Sequence, residues 1–335
     1  MTLEQKIDIV KDILKDKKVA IGFSGGADST LIAYLSSQVA KDTLAITIDN
    51  HLMPTGFIEY AKNVTSSFGI RHEIINIDFY EDPDFLENRP DRCFTCRNLM
   101  YTQIESMARK NGFDFICDGN NISDLVIDRP GILITYAKGF NTPLIEARLT
   151  SKEIHEYLNE NNVPYSRSTT CLATRIPTNT KTTKEKISRI SHCEDYILNN
   201  TDCKIIKVRD FEELCICETD DISKIMIDNK FKQINDELNR QGYKKVALNL
   251  SEIDDDESIV LDYAEGSFSY SLPFSIDIKK SREFFENAKI TKDKISIENI
   301  SISENGMIVA KGFDNYENAL NAFMDILTKI RRKIE

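Results

Sequence analysis

The stretch SGGADST, residues 24 to 30, follows the apolar run VAIGF at 19–23 and leads straight into a helical pattern at 29–40. Gly25 and Gly26 lack a Cβ, so the backbone can turn tightly there and aim several N–H groups at an anion. The helix that follows adds its positive end. This is the chemistry of a phosphate cradle. It is not the Walker A loop, whose GxxxxGK[ST] pattern requires a lysine that this segment lacks. An ordinary glycine-rich turn is the plain alternative, and Ser24, Asp28 and Ser29 in one short string after a strand weigh against it.

Outward from the loop, short apolar or β-branched runs at 19–23, 44–49, 72–78 and 114–118 alternate with helical patterns such as 29–40 and 55–67. That alternation predicts an α/β fold, a parallel sheet covered by helices, with ligands gathered at the C-terminal ends of the strands. A further run, TPLIE at 142–146, precedes Thr150 and Glu153, which have capping-box spacing ahead of a helix to about Asn161. The expected division is a nucleotide-binding domain over 1–180, a smaller α+β domain over 181–250 and a small α+β appendage over 258–335. SEIDDDES (251–258) reads as an acidic, solvated linker. The appendage ends in an amphipathic helix, NYENALNAFMDILTKIRRKIE, and no residue in it looks catalytic.

The chain has 335 residues, 41% hydrophobic and 29% charged, enough to bury a sizeable core in two or three domains. No apolar run approaches the roughly 20 residues that span a bilayer, and MTLEQKIDIVKDILKDKK reads as an amphipathic helix, so a cytoplasmic protein without membrane contact is expected. A formal charge of −11 argues against a general grip on nucleic acid. Arg175, Lys181, Lys184, Lys186 and Arg189 nevertheless form a local basic cluster.

Eight cysteines in such a chain read as reduced thiols, some of them metal ligands, rather than as a disulfide framework. RPDRCFTCRNLM, residues 89–100, sets Cys93 and Cys96 in a CxxC. A thioredoxin-like dithiol and half of a zinc site are both open readings. His51, His72, His155 and His192 offer zinc no spaced pair, although Cys117 could serve. Cys117 itself lies in an apolar run and reads as core, as do Cys193, Cys203, Cys215 and Cys217. A third cysteine of the pattern, Cys171, sits in STTCLATRIP, residues 168–177.

The loop at 24–30 resembles the PP-loop of the ATP pyrophosphatases, with Asp28 and Ser29 at the family's acidic and hydroxyl positions. Read together, RCFTC, DGNNISDLVIDRPG, NTPLIEARLTSKEI and CLATRIP resemble, in order and spacing over roughly 5–250, the LarE family of ATP-dependent sulfur transferases. The resemblance implies a PP-loop fold. It also implies ATP and Mg²⁺ as cofactors, and adenylation of a carboxylate of a pyridinium-3,5-biscarboxylic acid mononucleotide, an anionic substrate, for nickel-pincer cofactor biosynthesis. In one branch of that family Cys171 alone gives up its sulfur. In the other Cys93, Cys96 and Cys171 hold a [4Fe-4S] cluster, leaving one iron free for sulfide from an external sulfur donor. The three-cysteine pattern here matches the second branch.

The resemblance also implies roles for charged residues. Ser24, Gly25, Gly26, Asp28 and Ser29 would hold the phosphates, and Asp49, at the end of the second strand, would lie near adenine. Arg97 stands where the family usually has lysine, which keeps the charge and changes the donor geometry. Asp118, Asn120 and Asp124 are candidates for ribose or magnesium, or for loop capping. Arg129 and Arg175 are candidates for phosphate, or for surface salt bridges. Lys207 and Arg209, two apart on a strand and so on one face, match an arginine pair that meets a phosphate-like anion; Glu194 matches an acidic position. A homo-oligomer is expected. A tRNA thiolase of the same superfamily is the competing function, disfavoured by the acidic total, and a noncatalytic ATP-binding module is a third.

Overall fold

The computed structural model describes residues 1–129, 131–166, 170–254 and 258–333. Pro130 of the DGNNISDLVIDRPG motif, Ser168 and Thr169 ahead of Cys171, residues 255–257 of the acidic segment and the last two residues of the terminal helix pattern lie outside the described residues.

The N-terminal region is built as its alternation predicts. Helix α1 (Leu3–Leu14) starts at a capping box in which Thr2 and Gln5 satisfy each other's backbone donors. It buries Ile7, Val10 and Leu14, one stripe at helical spacing. Strands β1 (Lys18–Gly22), β2 (Asp42–Asp49), β3 (Arg71–Asn76) and β4 (Phe115–Cys117) form a parallel sheet in the order β3-β2-β1-β4. Helices α2 (Ala27–Val39), α3 (Phe57–Ser67) and α4 (Arg92–Lys110) connect them. Val19 and Ile21 pack with Leu31, Leu35 and α1 on one face of the sheet, whereas Ala20, Leu44 and Ile46 meet Tyr101, Ile104 and Ala108 of α4 on the other. Burial on both faces explains why β2 reads as a continuous apolar run rather than an alternating one.

TPLIE does not add a fifth strand. Only Asn141 joins the sheet, bridging to Cys117, and Pro143–Glu146 is a helical turn. Proline has no N–H for a ladder and a φ suited to the first position of a helix, so Pro143 turns the chain there. Helix α5 (Ser151–Glu160) follows, with the Thr150–Glu153 capping box in place.

The middle region packs α6 (Lys184–Asn200) and α7 (Lys230–Arg240) on a three-stranded sheet of β5 (Ile206–Phe211), β6 (Leu214–Thr219) and β7 (Lys245–Leu248). Cys193, Cys203, Cys215 and Cys217 lie inside its apolar core with Ile197, Val208 and Tyr243. The C-terminal region is a six-stranded antiparallel sheet of β8 (Asp262–Ala264), β9 (Ser267–Ser271), β10 (Lys289–Ile290), β11 (Lys294–Ile297), β12 (Ile300–Ser303) and β13 (Met307–Lys311). Helix α8 (Tyr316–Lys329) covers it through Ala319, Phe323 and Leu327. Its core is continuous with Ile122, Leu125, Ile132 and Ile145 of the N-terminal region. Among the described residues no helix is long and apolar enough to cross a membrane.

Candidate functional site

The turn after β1 sits at the C-terminal edge of the parallel sheet. Gly25 has φ of +71°, in the left-handed region, with the Tyr60 ring 3.3 Å from where a Cβ would lie. Its carbonyl accepts from the Ser166 N–H at 2.8 Å, which ties the loop to the chain beyond α5. Ser29 Oγ lies 3.2 Å from both the Ser24 N–H and Ser24 Oγ, closing the loop on itself. Helix α2 begins at this edge, and its first-turn N–H groups have no acceptor within the helix.

Asp28, in that first turn, receives a hydrogen bond from Asn121 Nδ2 at 2.9 Å. Burial, followed by the nearby Asp124 carboxylate, pushes its pKa up to about 7. The Asn121 hydrogen bond and the Arg129 guanidinium pull the other way without offsetting burial. Asp124 in turn pairs with Arg129 and accepts from the Asn121 N–H at 3.0 Å.

The loop opens into a cavity of about 790 Å³, in the range of small-molecule sites. Ser24, Gly26, Asp28, Asp124, Arg129 and Cys171 all line it. So do Met53, Ser151, Ser166 and His155, whose ring stacks on Tyr165 at 5.2 Å. Asp49 lines a neighbouring cavity at the β2 exit with His51, Gly56 and Phe57, and Met53 borders both.

Two separate bracings bring the cysteine segments to this edge. Leu172 N–H donates to Leu52 O at 2.8 Å, pinning the Cys171 turn to the β2 exit. Arg92 donates to Ala173 O at 2.9 Å and to Asn88, while Asn88 Nδ2 donates to Pro177 O at 2.9 Å. The start of α4 is thereby held against residues 173–177. Cys93 and Cys96 are the second and fifth residues of α4. Arg92 also lies 3.5 Å from Cys93 Sγ.

The three thiols feel one another. Burial raises the Cys96 pKa far above the ordinary thiol range, and negative charge on Cys171 or Cys93 would raise it further. Cys171 is raised by burial and by Cys93, against the pull of its hydrogen bond with Ala173 and of Arg92. Among the described residues no three His, Cys, Asp or Glu side chains stand close enough to hold a metal ion as they are. Cys96 and Cys171 are nonetheless soft sulfur donors whose ionisation is disfavoured by burial and by neighbouring thiols. A thiophilic cation or cluster relieves that penalty.

Other expected site residues are placed elsewhere. Arg97 turns inward from α4 to Tyr101 Oη, Asn120 and Asp118, the last at 3.3 Å. Asp118 also accepts from Tyr101 Oη and Thr135 Oγ1, each at 2.7 Å. Both therefore belong to a buried network under the loop and do not line the cavity. Arg175 is 2% exposed and donates to Glu194 Oε1 at 2.7 Å; Glu194 also accepts from the Val208 N–H at 2.9 Å. It joins the Cys171 turn to the middle region instead of meeting phosphate. Lys207 and Arg209 share the half-buried face of β5, as their spacing predicts. Arg209 donates to Glu218 at 3.0 Å and to Thr174 O at 2.9 Å, bracing the same turn. The basic cluster is largely neutralised, since Arg175, Lys184, Lys186 and Arg189 pair with Glu194, Asp78, Glu212 and Asp210.

Gly119 escaped the sequence reading. A Cβ there would lie 2.9 Å from Ser29 N and from Asp28 Cβ, so only glycine lets the β4 exit pack against the phosphate loop. The glycine inside DGNN was the available signal. Arg92 was equally legible, as a guanidinium beside Cys93.

A family model described as NAD synthase matches residues 2–87, the segment that carries the phosphate loop. An uncharacterized protein of Methanocaldococcus jannaschii is 30% identical over 242 residues, 72% of this chain and 92% of that protein. The pyridinium-3,5-bisthiocarboxylic acid mononucleotide synthase of Lactiplantibacillus plantarum is 25% identical over 258 residues, 74% of this chain and 92% of that one. A tRNA-specific 2-thiouridylase of Clostridioides difficile is 28% identical over 127 residues, only 31% of this chain and 35% of that one. Matched over almost the full length of these first two relatives, and carrying the PP-loop at the edge of a parallel sheet, the chain belongs to the LarE family of the PP-loop ATP pyrophosphatase superfamily.

Proposed function

We propose that the chain is an ATP-dependent sulfur transferase that adenylates a carboxylate of a pyridinium-3,5-biscarboxylic acid mononucleotide and replaces the activated oxygen with sulfur, in nickel-pincer cofactor biosynthesis. The observation that carries this reading is that Ser24, Gly26 and Asp28 line one cavity with Cys171. In the first step a carboxylate oxygen bonds to the α-phosphorus of ATP and the α–β P–O bond breaks. The turn at Ser24–Ser29 and the start of α2 stabilise the departing pyrophosphate. Asp28 and Asp124 are the residues that would hold Mg²⁺ against the phosphates, which lowers the cost of ionising Asp28. In the second step sulfur bonds to the acyl carbon and AMP leaves with the oxygen.

Cys93, Cys96 and Cys171 are the residues that would hold a [4Fe-4S] cluster. When bound, such a cluster supplies a sulfide nucleophile at an iron that lacks a protein ligand. The chain's own part is to set Cys171 at the cavity wall, to place Arg92 beside Cys93 and to brace both turns through Asn88. Transfer of the Cys171 sulfur itself is the alternative chemistry at the same position. Pairing of the basic cluster and the short overlap with the tRNA thiolase relatives count against an RNA acceptor.

The test is an anaerobic assay of AMP and pyrophosphate release with the pyridinium mononucleotide or with unmodified tRNA. Release that depends on the mononucleotide, with sulfur appearing in it, is the expected result. Release that depends on tRNA, or none with either, would overturn the assignment.

A further inference from the structure

The C-terminal region, in which the sequence shows no catalytic residue, forms part of the cavity wall. Ile259, Tyr270 and Pro273 line the cavity that holds Ser24, Asp28 and Cys171. The relatives offer no counterpart for all of this chain: the matches account for 92% of each of the first two but for only 72% and 74% of the present sequence. This wall is also firmly docked. Arg148 pairs with Asp325 at 2.7 Å, Arg332 pairs with Asp128, and the Arg331 guanidinium lies 4.3 Å from the centre of the Tyr136 ring. Phe268, Phe323 and Leu327 share one apolar core with Ile122, Leu125 and Ile132. The segment that carries Asp124 and Arg129 is therefore clamped to the C-terminal sheet.

The cavity is chemically two-sided. Toward β1 and α2 it offers hydroxyls, Asp28 and helix N–H groups, which suit phosphates. It also offers Val126, Ile127, Ile259, Tyr270 and Pro273, along with Asp254 and Ser258 and the Arg129 guanidinium, which pairs with Asp124. Ile127 is 45% exposed, an apolar side chain turned to open space. Tyr270 is held by β9 pairing with Ile308 and by the Phe323 ring 4.6 Å away, so its face is fixed. The neighbouring cavity of about 650 Å³ at the β2 exit, which meets this one at Met53, offers a separate place for the base of ATP. With the phosphates on the loop and the base at β2, the apolar half is left for the second substrate. An aromatic and apolar surface next to a guanidinium suits a flat ring bearing anionic groups.

We propose that the C-terminal region supplies the acceptor-selecting wall of the site, in which Ile259, Tyr270 and Pro273 receive the planar ring of an anionic mononucleotide. This rests on the sulfur-transfer reading and adds specificity determinants in the C-terminal region. A walled cavity of this size admits a free nucleotide and crowds out a base still carried on a folded RNA.

Calorimetric titration of the full-length protein with ATP, and separately with pyridinium-3,5-biscarboxylic acid mononucleotide, tests it in the wild type, Tyr270→Leu and Pro273→Asp. Pro273 is exposed, so P273D spares the core while placing a carboxylate against an anionic ligand. Each variant should weaken mononucleotide binding about tenfold and change ATP affinity by less than about twofold. Unchanged mononucleotide affinity in both variants, or a parallel loss for ATP, overturns the wall while leaving the sulfur-transfer reading intact. A wild type that binds ATP and ignores the mononucleotide overturns the acceptor assignment, and the wall falls with it.

Discussion

Two groups of cysteines in this chain show how position decides what a thiol is for. Cys193, Cys203, Cys215 and Cys217 are buried among Ile197, Val208, Ile225 and Tyr243, where they act as small apolar residues filling a sheet–helix interface. Cys93 is exposed and Cys96 and Cys171 are half-buried. They come from two segments 75 residues apart in sequence, held together by Arg92 and Asn88 near the Ser24–Ser29 turn. The first group needs only volume and apolarity. The second is supported by polar bracing that would be wasted on packing.

The sharpest way to break the contrast is substitution on each side of it. Cys171→Ser should lower sulfur transfer by about a thousandfold or more with the melting temperature unchanged. Cys193→Ser should keep activity per folded molecule and lose about 1–3 kcal/mol of stability, because a hydroxyl there is buried without a partner. Activity assays beside denaturant unfolding read both. Equal activity losses would erase the distinction.

Gly119→Ala carries the next effect. Its methyl must displace the Ser29 backbone, a cost of about 1–3 kcal/mol that falls on the phosphate loop. ATP affinity should fall about tenfold or more while the cysteine turns stay in place. Undisturbed ATP binding in a titration would show that the loop does not depend on this contact.

Asp28 gives a pH signature. Its pKa in the folded chain is raised to about 7 from the ordinary carboxylate value near 3.8. The native state therefore keeps a proton that the unfolded chain releases, and stability declines as pH rises from about 4 toward 7. Asp28→Asn should melt higher than the wild type at pH 8, match it below about pH 4, and fail to turn over ATP. A melting difference that does not vary with pH would contradict this origin. The smallest effect is a rate order: under anaerobic alkylation at pH 7.5 without added iron, Cys93 should react first, while Cys193, Cys203, Cys215 and Cys217 wait for unfolding. Mass mapping over time reads it.

Much of this contrast was legible before any coordinates. Alternating runs fixed the parallel sheet and its edge, and two glycines flanked by serines and an aspartate marked the phosphate turn. TPLIE misled because its apolar content matched a strand, whereas Pro143 could not donate to a ladder. Arg97, Asp118 and Arg175 misled for another reason. Charge and position after a strand say nothing about which way a side chain turns, and these three turn into buried networks. The C-terminal wall was invisible because Ile259, Tyr270 and Pro273 are unremarkable in sequence and meet the site only through the docking of a whole sheet.

The most direct test of the central claim, that three distant thiols form one centre beside the phosphate turn, is iron and acid-labile sulfide content after anaerobic reconstitution. Wild type and Cys215→Ala should each carry about four irons per chain, and Cys93→Ala, Cys96→Ala and Cys171→Ala should each lose the bound cluster. A wild type without iron, or cluster retention in all three of those variants, would contradict it.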